Sequence, residues 1–173
     1  FDEVLGTSTG AGVIFGATGG VMEAALRTAY ELITGTELKD VNFTAVRGVE
    51  GIKEATVKIG DMDVNVAVCS STGKAAELLD AVKRGEKKYH FIEVMGCPGG
   101  CVNGGVSAQV RNWTDIRAER AKALYTEDEA KTLRKSHENP EIKQIYADYL
   151  GKPNSHKAHE LLHTTYEQRD IYI

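Results

Sequence analysis

Two cysteines four residues apart, Cys97 and Cys101, stand in a run that is otherwise rich in glycine: Phe91-Ile-Glu-Val-Met-Gly-Cys97-Pro-Gly-Gly-Cys101-Val-Asn-Gly-Gly105. Thiolates bind soft metals and iron–sulfur clusters, and a loop of small residues lets two sulfurs and several backbone N–H groups converge on one inorganic body. N–H groups aimed at cluster sulfides also raise its reduction potential, so glycines there serve electronics as well as geometry. The bland alternative is a pair of buried thiols on neighbouring turns. Pro98, Gly99 and Gly100 rule out a regular helix between the cysteines and favour a ligand loop. A structural zinc needs four N or S ligands, whereas Cys69 ends a distant strand and no histidine follows at finger spacing. A thioredoxin-like pair needs one residue fewer between its cysteines. A nucleophilic cysteine paired with His90 stays open, although a histidine on the strand entering such a loop is more simply a partly exposed strand residue.

The elements that must position this loop belong to a chain of 173 residues with net charge −4, 42% hydrophobic and 27% charged residues. At that length roughly two thirds of the extended surface is buried on folding, so neither disulfide nor metal is needed to hold a core. Three cysteines, an odd number, favour free thiols and a reducing compartment, hence the cytoplasm. The mild acidity without a basic stripe argues against nucleic acid, and no apolar run approaches a membrane span. Phe1-Asp2-Glu3 has no signal-peptide character and no initiator Met; simple processing is the bland reading, and the C-terminal part of something longer is the one that the motif resemblance below favours. Of 18 glycines, six fall between Gly6 and Gly20 and five between Gly96 and Gly105, two places where backbone turns sharply or is closely approached.

Along the chain, Thr18–Thr34 reads as a greasy helix closed by Gly35, with only the Glu23, Arg27, Glu31 edge left for water. Asn42–Val46 reads as a strand, and Ala55–Cys69 as two strands joined near Gly60-Asp61. Thr72–Lys83 reads as an amphipathic helix with Ala76, Leu79 and Val82 on one side, and Tyr89–Met95 as a short strand. From Thr114 the text turns charged and helical: Asp115–Tyr125, Thr126–Lys135, Glu141–Leu150 and about His156–His163, packing on the outside of the sheet. The expected fold is α/β, a small twisted sheet flanked by helices with a helical C-terminal tail. Residues 1–113 form the lobe with the cysteine loop and 114–173 an extension on the same domain.

The run Glu93-Val-Met-Gly-Cys-Pro-Gly-Gly-Cys-Val-Asn-Gly-Gly105 resembles the third cysteine motif of the [FeFe]-hydrogenases. Ser8-Thr-Gly-Ala-Gly-Val-Ile-Phe-Gly-Ala-Thr-Gly-Gly-Val-Met-Glu-Ala-Ala-Leu-Arg27 resembles the Gly-rich segment and helix that precede it in that family. The similarity continues through Thr44–Gly51, Ala118–Tyr125 and His163–Tyr166, so it spans nearly the whole chain. The resemblance implies one lobe of the domain that holds an H-cluster: a [4Fe–4S] cubane on four cysteines, sharing one thiolate with a di-iron unit that carries CO, cyanide and a bridging dithiolate. On this sequence it makes Cys97 a cubane ligand and Cys101 the bridging cysteine. It sets Met95 beside the di-iron unit as a soft wall, and Phe15, Gly16 and Ala17 on the pocket's other side. Gly16 and Gly100 bring backbone close to the cofactor. The implied reaction is reversible H2 oxidation and proton reduction with a ferredoxin-type electron carrier, after loading by hydrogenase maturation proteins.

The other two cubane cysteines, the proton-relaying cysteine and the pocket lysine of the family lie in the N-terminal half of its catalytic domain. The resemblance therefore makes that half a required partner and the chain alone inactive. The family continues its third motif as Gly-Gly-Gly-Gln-Pro, whereas Gly104-Gly105 here runs into Val106-Ser107-Ala108. Two further readings are a non-catalytic hydrogenase-like protein of iron–sulfur assembly and a hydrogenase-like H2 sensor module. Cys69 reads as a small buried strand residue, Met22 and Met62 as core filling, Glu23 and Arg27 as a surface pair. His156, His159 and His163 read as one face of a solvated helix.

Overall fold

The computed structural model describes residues 6–48, 51–105, 107–108 and 115–169. Phe1-Asp2-Glu3, Val106 and the expected boundary at 113/114 lie outside them. The chain divides into two bodies, residues 8–136 and residues 6–7 with 137–169.

In the larger body Ile52–Ile59 (β1) and Met62–Ser70 (β2) form an antiparallel hairpin, and Phe91–Met95 (β3) pairs with β2 in parallel, giving the order β1-β2-β3. The hairpin turns at Gly60, whose φ is +58°, next to the expected Gly60-Asp61. A parallel pair needs a crossover; Gly10–Val13 (α1) and Gly20–Thr34 (α2) precede the sheet, and Thr72–Lys83 (α3) makes the crossing. β2 is the central strand and is buried on both faces from Val66 to Ser70, as expected between two layers. One face packs Val66 and Val68 with Met22, Leu26, Val46, Val57 and Ile59; the other packs Ala67 and Cys69 with Leu78. The α/β class and the small helix-flanked sheet are as the sequence predicts.

Several local expectations fail for identifiable reasons. Asn42–Val46 is not a strand: Thr44–Val46 is a 3-10 turn with Val46 buried. On α3 the inward residue is Leu78, while Leu79 is 44% exposed, because the link from β2 through Ser71, whose N–H donates to Met95 O at 2.8 Å, fixes the helix's rotation. Met62 is exposed rather than core. The predicted break at Thr126 is absent, and Ile116–Ala130 (α4) is one helix. Thr126 Oγ1 donates back to Lys122 O at 3.0 Å instead of capping a new start. The main contacts of α4 are with α1 and the turns at Ile14–Gly16 and Cys101–Asn103 rather than the sheet.

The largest reversal is on α2. Glu23 and Arg27 are fully buried, while Leu32 is 74% exposed. Arg27 places its fork on Asp128 of α4 at 2.8 Å to both oxygens and reaches Glu23 at 2.9 Å. Glu23 also accepts from Arg47 at 2.7 and 2.8 Å, and Asp128 from Arg134 at 2.6 Å. Charges stay in a core only when paired in this way, and the partners come from distant segments that helical periodicity does not see.

In the smaller body Asn139 caps Pro140–Ile145 (α5), accepting from the N–H groups of Glu141 and Ile142. Asn139 Nδ2 also donates to Thr7 O at 2.8 Å. A π-turn at Tyr146–Leu150 follows, then His156–Leu162 (α6), on which His156 and His159 are exposed.

Candidate functional site

Met95 lies opposite Ser70 at the carboxyl end of the parallel pair, where α/β sheets commonly place ligands. The cysteine loop leaves from there. Gly99 and Gly100 have φ of +89° and +91°, a region L side chains rarely adopt. The loop ties itself with Gly100 N–H to Cys97 O at 2.9 Å, Asn103 N–H to Gly100 O at 3.0 Å and Asn103 Nδ2 to Pro98 O at 3.1 Å. Cys97 and Cys101 are both exposed free thiols. Cys69 is buried, and burial, with Glu93 adding to it, raises its thiol pKa.

The first Gly-rich run meets this loop backbone to backbone. Thr9 caps α1, its Oγ1 accepting from Gly12 N–H at 3.0 Å, and a 3-10 turn over Ile14–Gly16 brings the chain back. Thr18 N–H then donates to Gly99 O at 3.0 Å. A Cβ on Gly100 would lie 2.8 Å from both Gly16 O and Thr18 N. The two glycine clusters are thus one contact, made possible by absent side chains.

Beside that contact a cavity of about 490 Å³ is lined by Gly16, Cys101, Val102, Ser107, Arg120, Ala123 and Leu124. Of the residues singled out from the sequence, Gly16 and Cys101 line it, whereas Gly100, Ala17 and Cys97 do not. Cys97 is joined through its carbonyl to Gly100. Phe15 is 45% exposed and Met95 half-buried, and neither is among the lining residues.

Glu93 joins the loop's strand to the first run. Its carboxylate accepts from Gly19 N–H and Met22 N–H, both at 2.6 Å, at the start of α2, where the helix dipole favours an anion. Burial raises its pKa above the usual carboxylate value even so. Lys53 of β1 donates to Gly48 O and to Thr18 O, and burial lowers its pKa to about 8 against the opposing pull of Glu93. Glu93, Lys53, Arg120 and Leu124 were missed by sequence reasoning. An acid within the apolar strand Phe91–Met95 was a usable signal for Glu93; Arg120 and Leu124 had none, since their proximity is set by folding alone.

The donor set suits iron and sulfide. Two exposed thiols are soft ligands, and glycine carbonyls and N–H groups fill the space a side chain would take. Thr18 Oγ1, in the same segment, is buried with no hydrogen-bond partner among the described residues. Two thiols are half of what a cubane takes.

Comparison with known proteins agrees with this arrangement. Residues 1–105 match the family described as iron only hydrogenase large subunit, C-terminal domain, and residues 114–169 match iron hydrogenase small subunit. The NADP-reducing hydrogenase subunit HndD of Solidesulfovibrio fructosivorans is 53% identical over 169 residues, covering 98% of this chain and 29% of that protein. The periplasmic [Fe] hydrogenase large subunit of Nitratidesulfovibrio vulgaris is 57% identical over 104 residues, covering 60% of this chain and 25% of that protein. A cytosolic Fe-S cluster assembly factor of Xenopus tropicalis is 30% identical over 155 residues, 87% of this chain and 31% of that protein. A solved [FeFe]-hydrogenase from Chlamydomonas reinhardtii superposes with a TM-score of 0.72 at 43% identity, covering 96% of this chain and 48% of that one. The chain therefore spans under a third of these curated relatives and about half of the solved one. With a family match over most of its length and a shared fold around the cysteine loop, the chain belongs to the iron-only hydrogenase family.

Proposed function

We propose that this chain is one half of an H-cluster site, and that its complete polypeptide catalyses reversible H2 oxidation and proton reduction with a ferredoxin-type carrier. The observation that carries the proposal is the contact of Gly100 with Gly16 and Thr18, in a loop that carries two exposed thiols and sets Cys101 on a cavity. Cys97 would hold the cubane and Cys101 would be shared with the di-iron unit; when bound, the cluster supplies electron storage and the iron at which H2 is made or split. The chain's own contribution is ligation and enclosure. Gly99 and Gly100 let backbone reach what side chains would block, and Glu93 with Lys53 holds the start of α2 against the loop's strand. Gly16 lines the cavity, and Ala17, Phe15 and Met95, which lie outside its lining, are assigned to the cofactor's surroundings by the family resemblance.

The remaining cubane ligands come from the N-terminal half of the catalytic domain, and loading requires maturation proteins. We assign residues 1–113 to the catalytic lobe and 114–173 to an extension packed on it, a division supported by where the two family matches end and begin. No helix among the described residues is long and apolar enough to cross a membrane; the free thiols support a cytoplasmic location. Identity favours hydrogenase chemistry over iron–sulfur assembly, 53% against 30%.

The test is anaerobic reconstitution with iron and sulfide. This chain alone should form no stable cubane, and the chain joined to the preceding half should form one. Infrared bands of CO and cyanide should follow once maturation proteins are supplied. Failure of the joined protein to build a cubane overturns the proposal.

A further inference from the structure

One turn of α4 touches both halves of the site. Arg120 Nη1 donates to Val102 O at 2.8 Å, the carbonyl next to Cys101, and Nη2 donates to Ala108 O at 2.6 Å. Arg120 thereby bridges the two sides of the loop that follows the second cysteine. Four residues on, and so on the same helical face, Leu124 lies against the first Gly-rich run: a Cβ on Gly16 would be 2.7 Å from its Cδ1. Arg120, Leu124 and Cys101 line the same cavity. The large-subunit match stops at residue 105, and α4 lies in the segment matched to the small subunit.

We infer that Arg120 is a positioning residue for the cofactor, supplied by the small-subunit-like segment. Its planar fork spans two carbonyls at once, which an ammonium group does not reproduce. The fork fixes the backbone after Cys101, and the permanent guanidinium charge beside the cysteine loop favours added electrons on whatever the thiolates hold. Leu124 closes the other side by packing on Gly16. The inference rests on the H-cluster reading for the identity of the cofactor, whereas the clamp itself is a property of the polypeptide.

Two measurements on the complete protein separate these. In the metal-free form, the amides of Asn103, Gly104 and Ser107 are hydrogen-bonded within the loop. Peptide-resolved hydrogen exchange there should quicken at least about fivefold in Arg120→Gln, while Glu119→Gln on the same helix leaves it unchanged. In the cubane-loaded form, a redox titration followed by electron paramagnetic resonance should move to more negative potential in Arg120→Gln. The expected change is about tenfold in the reduction equilibrium, or roughly 59 mV for one electron. Arg120→Lys should restore the potential but only part of the exchange protection. Unchanged exchange in Arg120→Gln overturns the clamp with or without a cluster, and an unchanged potential overturns the electrostatic role. Quickened exchange together with no cubane in the unsubstituted protein supports the clamp and overturns the H-cluster reading instead.

Discussion

At the scale of single residues, the site depends on side chains that are not there. Gly100 combines φ +91° with ψ −161°, a region open essentially to glycine alone, and has no room for a Cβ between Gly16 O and Thr18 N. Backbone strain and overpacking act together, so Gly100→Ala should destabilise the metal-free protein by about 3 kcal/mol or more. Gly96→Ala, with nothing within 4 Å of the added carbon, should stay within about 0.5 kcal/mol. Chemical denaturation of both variants checks this, and equal loss in both would refute the close-contact account. The glycine excess was legible as two clusters, and Pro98-Gly99-Gly100 as a turn rather than a helix between the cysteines. That the clusters meet was not legible from residue types, because a hydrogen bond such as Thr18 N–H to Gly99 O leaves no trace in the side chains that make it.

At the scale of elements, local patterning located strands and helices better than it located their inward faces. The hairpin β1–β2 and the crossover helix α3 were legible from alternation and caps. The charged edge of α2 was misread because Glu23 and Arg27 are satisfied by Arg47 and Asp128, residues 24 and 101 positions away. Lys53 on β1 is a half-buried charge, and it carries a measurable sign. Its folded pKa is about 8, below the ordinary 10.5, so the unfolded chain binds more protons between those values. Stability therefore bears the full cost below about pH 8 and recovers as pH climbs from there toward 10.5. Lys53→Met should remove that recovery. The difference in unfolding free energy between the parent and Lys53→Met should shift in the parent's favour from pH 8 to 9.5. A difference that stays flat across this range would show that Lys53 is solvated rather than buried against Thr18 and Glu93.

At the scale of the whole molecule, α4 belongs to the same compact body as the cysteine loop, although the two fall in different family matches. A relative named as a large subunit matches only 104 residues of this chain, and the two family matches leave residues 106–113 between them. Yet α4 lies beyond that interval and supplies Asp128 to the buried fork of Arg27. It also places Asp128 where a Cβ on Gly10 would be 2.0 Å from its Oδ1. Ending the polypeptide at residue 113 would strand Arg27 in the core with Glu23 as its remaining acidic partner, and breaking a buried pair costs about 3–5 kcal/mol. The shortened protein should accordingly unfold at markedly lower denaturant concentration. Residues 114–173 added as a separate chain should bind it and restore the midpoint, as a small subunit would. Asp128→Asn in the added chain should abolish most of that rescue, because the neutral amide offers the Arg27 fork one acceptor oxygen where the carboxylate offers two. Rescue that survives this substitution would mean that apolar packing of α4 on α1, rather than the buried charges, joins the two segments.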